Sequence, residues 1–142
     1  GVEVLFIDMP PGTGDIQLTL SQIASLYGVI LVTTPQRMST SDVAKAGRMF
    51  EKVKVPILGI IENMVDSKTV KLFGSGGAGE LATRLNTEIM GHIELNPEFV
   101  TYSDSGKPVT LSDHGKVFFE LASKLIEKLE QIENTSVEIV DN

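Results

Sequence analysis

Val29-Ile-Leu-Val-Thr33 is an uninterrupted run, almost wholly apolar, that stops at Thr34-Pro35. Residues 57–61 (ILGII) and 89–93 (IMGHI) are two further short runs of the same kind. Runs of this length that are mostly apolar on both faces are typical of parallel strands buried between layers of helices. They predict strands at residues 29–33, 57–62 and 89–93.

The segments around these runs repeat apolar residues at helical spacing. The sets are Ile16, Leu20, Ile23 and Tyr27 before the first run, Val43, Ala46, Phe50 and Val53 before the second, and Leu121, Leu125, Leu129 and Ile132 near the end. The helix after the first run has its N-cap candidates between Ser39 and Asp42. Alternating strands and helices predict an α/β fold, a three-layer sandwich with a mostly parallel sheet.

A fourth apolar run, Val2-Glu-Val-Leu-Phe-Ile7, leads into Asp8 and then Pro10-Pro-Gly12. It predicts a strand near residues 2–8, followed by a loop. Because the chain opens on a strand of the buried type, we expect the fold to be incomplete at its N-terminus. We assign residues 1–133 to the C-terminal portion of one domain and residues 134–142 to an acidic tail.

The composition narrows the class of protein. The 142 residues carry 12 Lys and Arg against 19 Asp and Glu, a net charge of −7, and no cysteine. This acidic balance argues against a nucleic-acid surface, and no apolar run approaches the length of a membrane span. A chain without cysteine has no disulfide and no thiolate ligand. We therefore expect a cytoplasmic protein that binds neither nucleic acid nor membrane.

Polar residues stand at the ends of several predicted strands, namely Asp8, Thr33–Thr34 and Glu62–Asn63. In open parallel sheets, ligands bind beyond the carboxyl ends of the strands. These residues therefore predict a candidate site at one edge of the sheet.

The loop Pro10-Pro-Gly-Thr-Gly-Asp15 has the glycines of a phosphate loop, but an aspartate stands where a Walker A motif has lysine. A strand-end aspartate before a glycine loop is typical of the element that holds Mg²⁺ and senses the γ-phosphate in P-loop NTPases. In that interpretation Asp8 binds the metal through water, and the backbone N–H of Gly12 approaches the γ-phosphate. The alternative is a strand-capping aspartate followed by a structural turn.

Two weaker patterns receive plainer interpretations. Gly74-x-Gly76-x-x-Gly79 matches the dinucleotide fingerprint without the strand that should precede it, so it predicts a flexible loop that feeds a helix. His92 and His114 are expected to be solvated or hydrogen-bonded rather than paired on a metal.

Five segments in a fixed order resemble a known family. They are Asp8-Met-Pro-Pro-Gly-Thr-Gly-Asp15, Thr33-Thr-Pro-Gln36, Gly59-Ile-Ile-Glu-Asn-Met64, Phe73-Gly-x-Gly-Gly77 and Ser103-Asp-Ser-Gly-Lys-Pro108. Over residues 1–112 the chain resembles the Mrp/Nbp35/ApbC family of iron–sulfur carrier ATPases, relatives of the MinD and ParA ATPases.

The resemblance implies a P-loop ATPase with a deviant Walker A motif that binds ATP and Mg²⁺ and is usually a homodimer. It also implies a role in iron–sulfur cluster assembly and transfer, with scaffold proteins or client apoproteins as partners. By resemblance, Asp8 is the magnesium aspartate, Asn63 recognises adenine, and the segment from Glu94 to Pro97 passes beside the base.

Two features depart from the family pattern. The family's phosphate loop, which lies upstream of residues 2–8, is absent from these 142 residues. We therefore expect an ATPase as the full-length protein and no activity from this segment alone. The Cys-x-x-Cys of many members is replaced by residues 65–72, which hold no cysteine, so we expect no iron–sulfur ligand from this chain. The alternatives are a ParA/MinD-type positioning ATPase and a non-catalytic binding module that retains the fold.

Overall fold

A computed structural model of the protein describes residues 2–12, 14–66 and 72–138, with only the backbone described for residues 133–138. The elements, in chain order, are α1 (Asp15–Ile23), β1 (Val29–Thr33), α2 (Arg37–Lys52), β2 (Ile57–Val65), α3 (Gly77–Arg84), β3 (Ile89–Glu94), α4 (Pro97–Asp104), two short 3₁₀ turns (Val109–Leu111 and Asp113–Gly115) and α5 (Lys116–Glu138). The predicted strands at 29–33, 57–62 and 89–93 are therefore confirmed, and the second continues to Val65.

The three strands form one sheet in the order β1-β2-β3, and both pairings are parallel. Helices pack on both faces of this sheet. One core cluster joins the sheet to α2 and α3; its buried members are Leu31, Ala44, Phe50, Val55, Ile60, Ala78, Leu81, Ala82 and Leu85. A second cluster joins the sheet to α5 through Leu58, Met90, Ile93, Leu121 and Leu125. The predicted α/β sandwich with a parallel sheet is confirmed.

The pairing of the strands is irregular at three places, each of which leaves extra residues on one strand. Leu58 is passed over between the pairs Val29–Ile57 and Ile30–Gly59. Met90 is passed over on β3 in the same way, between Ile89 and Gly91. At the far end, β2 advances three residues from Glu62 to Val65 while β3 advances two. Such bulges bend a strand and turn side chains in new directions.

The prediction of a strand near residues 2–8 is wrong. These residues are extended but belong to no strand, and Val2, Leu5 and Phe6 are 83%, 76% and 69% exposed. A strand requires a neighbour whose backbone satisfies its N–H and C=O groups. Within the described residues, β1 pairs only with β2, so the apolar run has no ladder to join.

The helices differ from expectation at their ends and on one face. Two apolar residues of α1, Ile16 and Ile23, are exposed, whereas Gln17 is buried. The helix α2 begins at Arg37, two residues before the first cap candidate. The helix α5 continues to Glu138, so that residues 134–138 of the expected tail are helical, and residues 139–142 lie outside the described part of the chain.

None of the helices in the described residues combines the length and the apolar character that crossing a bilayer takes.

Candidate functional site

The carboxyl ends of the three parallel strands meet at one edge of the sheet, which we call the carboxyl edge. Thr33, Glu62 and His92 are paired side by side and form the last regular row across β1, β2 and β3. The polar residues that were predicted to follow the strands at Thr33–Thr34 and Glu62–Asn63 therefore lie at this edge. This is where ligands bind in open parallel sheets.

The bulge that follows this row carries Asn63 and Met64. Met64 has φ 56°, which an unbranched residue other than glycine adopts only where the surrounding structure holds it. The backbone N–H of Met64 donates to Oδ1 of Asn63 at 2.8 Å. That bond makes the amide oxygen the acceptor, which leaves the amide nitrogen of Asn63 as a donor. Within the described residues this nitrogen has no hydrogen-bond partner.

Glu62, immediately before the bulge, is 5% exposed. Its Oε1 accepts a hydrogen bond of 3.3 Å from the backbone N–H of Ala78, in the first turn of α3. Its Oε2 lies 2.9 Å from Nδ1 of His92 on β3. The expectation of a hydrogen-bonded His92 is confirmed. The sequence placed Glu62 at the edge but assigned no partner to it, because Ala78 and His92 are 16 and 30 residues away.

The end of β1 is joined to α2 and α3. Oγ of Ser39 lies 3.0 Å from Oγ1 of Thr33 and accepts the backbone N–H of Thr34 at 3.1 Å. The Ser39 side chain thus stabilises the loop after β1 through hydrogen bonds and does not cap α2. Gly77, at the start of α3, packs directly on this loop, since a Cβ there would stand 2.6 Å from the carbonyl oxygen of Pro35. The loop after β1 and the start of α3 are therefore in direct contact.

Beyond β3 the chain turns directly into α4. The backbone N–H of Leu95 donates to the carbonyl of Val65 at 2.9 Å, which keeps the end of β3 beside the bulge. Asn96 caps α4 by accepting the N–H of Glu98, and Pro97 is the first helical residue, as its fixed φ favours. Glu94 and Pro97 are both exposed. The structure thus brings Asn63, Glu94 and Pro97 to neighbouring positions of one edge.

Asp8 and Gly12 lie on the exposed N-terminal segment, and no described contact joins them to Asn63. Met9 packs against the first core cluster, which fixes the segment on the α2 and α3 side of the sheet. Nε2 of Gln17 donates to the carbonyl of Pro10 at 2.7 Å, while Oε1 of Gln17 is buried and has no hydrogen-bond partner among the described residues. Gln17 was not predictable as a buried residue, because a polar residue beside the apolar positions of a helix gives no signal of burial.

The two histidines do not meet. His92 pairs with Glu62, and Nε2 of His114 lies 3.0 Å from Oε2 of Glu98. Among the described residues, no group of three or more His, Cys, Asp or Glu side chains is arranged to hold a metal ion. Gly74 and Gly76 lie in a loop that leads into α3, as predicted, and Gly79 belongs to the first turn of that helix. Just before this loop, the backbone N–H of Phe73 donates to Oδ2 of Asp66, the residue after β2, at 2.7 Å. Residues 67–71, and with them most of the cysteine-free stretch at 65–72, lie outside the described residues.

At the opposite edge of the sheet, which we call the amino edge, the pKa of one carboxyl group is shifted by its neighbours. A hydrogen bond from Lys128 to Glu88, together with the charges of Lys128 and Lys124, lowers the pKa of Glu88, against a small opposing effect of burial. The Nζ of Lys128 is 2.7 Å from Oε1 of Glu88. Glu88 immediately precedes β3, so this pair is at the far end of the strands from Asn63.

The parallel sheet with helices on both faces defines the class of fold as α/β, and solved MinD proteins share this fold. The MinD cell division protein of Aquifex aeolicus superposes with a TM-score of 0.64 over 78% of this chain and 47% of its own, at 21% sequence identity. A nucleotide-binding protein of Archaeoglobus fulgidus, in complex with ADP, superposes with a TM-score of 0.57 at 38% identity over 70% of this chain and 43% of its own.

Sequence comparison places the chain in one family within that class. The ParA profile, described as NUBPL iron-transfer P-loop NTPase, matches residues 1–130. An iron–sulfur cluster carrier protein of Aquifex aeolicus is 39% identical over 91% of this chain and 38% of its own length. The iron–sulfur cluster transfer protein NUBPL of Mus musculus is 37% identical over 90% of this chain and 43% of its own. The chain belongs to this NUBPL family of iron-transfer P-loop NTPases, and it spans about two fifths of the length of these relatives.

Proposed function

We propose that the protein binds and hydrolyses ATP and acts in the assembly and transfer of iron–sulfur clusters. Family membership supports this function, as do its relatives, which are iron–sulfur cluster carrier and transfer proteins. The nucleotide part rests on the bulge in β2, where the amide nitrogen of Asn63 is a donor at the carboxyl edge that has no partner among the described residues. A relative that is 38% identical was solved with ADP.

In this proposal Asn63 recognises the base. Its amide nitrogen donates to an acceptor atom of adenine, while its amide oxygen stays bonded to the N–H of Met64. Glu94 and Pro97, at the end of β3 and the start of α4, flank the base on the neighbouring strand. The bulge is then a functional feature, since it turns one polar side chain away from the sheet ladder.

Asp8 and Gly12 serve the phosphate end in the same proposal. Mg²⁺ in nucleotide sites keeps several waters and takes one or two carboxylates besides the phosphates, and the exposed carboxylate of Asp8 fits that demand. When bound, the ion would neutralise charge that develops on the phosphates. Gly12 has φ 99°, a conformation open to glycine, and its backbone N–H would approach the γ-phosphate.

The iron–sulfur cluster is the cargo in this proposal. The 142 residues contain no cysteine, and cluster irons take thiolate ligands in nearly all protein sites. Any thiolates that hold the cargo must therefore come from outside these residues. Anaerobic reconstitution of the 142-residue chain with iron and sulfide is expected to leave no stable chromophore. A chromophore with stoichiometric iron would contradict this prediction.

A homodimer in the cytoplasm, with scaffold or client apoproteins as partners, completes the proposal. Sedimentation of the protein with and without ATP tests the dimer. Fractionation of cells with an antibody against the chain tests the location.

A substitution at Asn63 that should change the preferred base is the sharpest test of nucleotide recognition. Asn63→Asp is made in the complete gene product. It keeps an oxygen that accepts the N–H of Met64 but replaces the amide N–H donor by a carboxylate oxygen. A carboxylate repels the acceptor atoms of adenine and accepts the donors of guanine. We expect the ratio of ATP to GTP affinity, measured by calorimetry, to fall about tenfold.

Asn86→Asp is the matched control for this substitution. It introduces the same charge at the amino end of β3, at an exposed position whose φ of 46° Asp tolerates as Asn does. Its ATP to GTP ratio should equal that of the unmodified protein. An unchanged ratio in Asn63→Asp would show that Asn63 does not recognise the base.

A further inference from the structure

Glu62 is a buried carboxylate that the proposed chemistry does not use. Burying a carboxylate is costly unless hydrogen bonds replace its water. This carboxylate accepts from Ala78 and lies within hydrogen-bond distance of His92, which belong to different elements. Because a carboxylate has no hydrogen to donate, Nδ1 of His92 must carry the hydrogen in the second bond.

The first contact replaces a missing helix cap. The helix α3 begins after Gly76, which has no side chain, and no side-chain cap is formed there. The first N–H groups of a helix need acceptors, and a carboxylate is favourable at this end of the helix dipole. Glu62 supplies that acceptor from β2 instead of from the residues before the helix. The start of α3 is thus placed by the sheet, after a loop in which Gly74 and Gly76 have φ 80° and 89°.

The second contact fixes the last regular row of the sheet. Glu62 is paired through its backbone with Thr33 on one side and His92 on the other. Its side chain adds a bond to the side chain of His92 in the same row. The bulge with Asn63 begins at the next residue, so the row is the fixed end from which the bulge departs.

We infer that Glu62 is a positioning residue for base recognition: its buried carboxylate holds β2, β3 and the first turn of α3 together and so sets the direction of the Asn63 amide. The inference rests on the proposed role of Asn63 in recognising adenine. Glu62 itself touches no nucleotide in this account and acts through Asn63.

The test compares ATP and GTP affinities of single and double variants of the complete gene product. Asn63→Ala should lower the ATP to GTP affinity ratio about fivefold, the value of one hydrogen bond. Glu62→Ala should lower the same ratio by a similar factor, because the amide is no longer directed at the base. Combined with Asn63→Ala, Glu62→Ala should lower the ratio no further, since both changes remove one interaction. Glu62→Gln, whose amide oxygen can still accept from Ala78, should recover most of the ratio.

Two further variants keep the test decisive. Glu88→Gln is the matched control, because it neutralises another glutamate that is paired with a basic side chain, at the amino edge. Its ratio should not change. If Glu62→Ala does not fold, His92→Ala removes only the second contact at a side chain that is 51% exposed, and it should lower the ratio about twofold.

The outcomes separate the inference from the function on which it rests. If Asn63→Ala leaves the ratio unchanged, the proposed base recognition is wrong. If Asn63→Ala lowers the ratio but Glu62→Ala weakens ATP and GTP equally, Glu62 is merely structural and the inference is overturned. A further loss of ratio in the double variant would also overturn it, since Glu62 would then act on the base independently of Asn63.

Discussion

The two ends of the three-stranded sheet differ in how the polar groups at their pairing irregularities are hydrogen-bonded. Near the amino edge, the residues that the ladder passes over, Leu58 and Met90, have their carbonyl oxygens bonded by lysines of α5. Lys128 donates to the carbonyl of Leu58, and Lys124 donates to that of Met90. At the carboxyl edge, no described side chain from a helix closes the bulge at Asn63 and Met64, and the Asn63 amide nitrogen has no partner in the part of the chain that the structure describes.

The difference indicates which irregularities stabilise the fold and which are available for a ligand. A passed-over carbonyl that receives a lysine is a satisfied group and contributes to folding. The bulge combines a left-handed Met64, a buried carboxylate beside it and a donor that no described residue satisfies. These features add backbone strain and polarity, which are unusual in a hydrophobic core. Changes at the amino edge should therefore alter stability, and changes on the site side should alter activity.

Asp8→Ala is expected to have the largest effect on activity. If Asp8 joins the carboxyl edge as the residue that holds magnesium, ATP turnover of the complete protein should fall on the order of a hundredfold or more. The melting temperature should hardly change, because Asp8 is exposed and outside every strand. Steady-state phosphate release and thermal unfolding measure the two effects. Normal turnover would show that Asp8 is not part of the site and is only a turn residue.

Lys128→Met should show the reverse pattern at the amino edge. Methionine keeps most of the apolar stem but leaves the carbonyl of Leu58 and the carboxylate of Glu88 without their cation. The free energy of unfolding should fall by about 1–2 kcal/mol in urea titrations. The ATP to GTP affinity ratio should stay the same. A changed ratio would mean that the two edges are coupled, and the comparison would fail.

The smallest expected effect is a pH dependence at Glu88. Its pKa is lowered from the ordinary value of 4.5, so the ion pair adds stability above that value, and the contribution is lost as the pH falls through the lower folded-state pKa. Because Glu88 is largely exposed, the effect is modest and salt weakens it. Urea unfolding of Glu88→Gln and of the unmodified protein, from about pH 3 to pH 7, gives the free energy of unfolding of each at every pH. The difference between the two free energies should grow as the pH rises. A difference that stays constant would show that the pair contributes nothing.

The sequence by itself determined the parallel α/β fold and the family. Strands such as Val29–Thr33 were predictable because a short apolar run is a local property, and family motifs such as Gly59-Ile-Ile-Glu-Asn-Met64 are read in order along the chain. A local property also explains why Pro97 stands at the first position of α4, since its fixed φ suits that position. Local patterns failed for residues 2–8, since an apolar run becomes a strand only beside a partner strand.

Only the tertiary structure decided how the candidate site is built. The bulge at Asn63 exists because β2 and β3, distant in sequence, pair with unequal numbers of residues, and no pattern within β2 records that count. Likewise, Glu62 became a helix cap because folding brought Ala78 to it, and the buried Gln17 donates to the carbonyl of Pro10, seven residues earlier. Hydrophobic periodicity reports which face of an element is apolar, whereas pairing register and long-range hydrogen bonds depend on which elements meet.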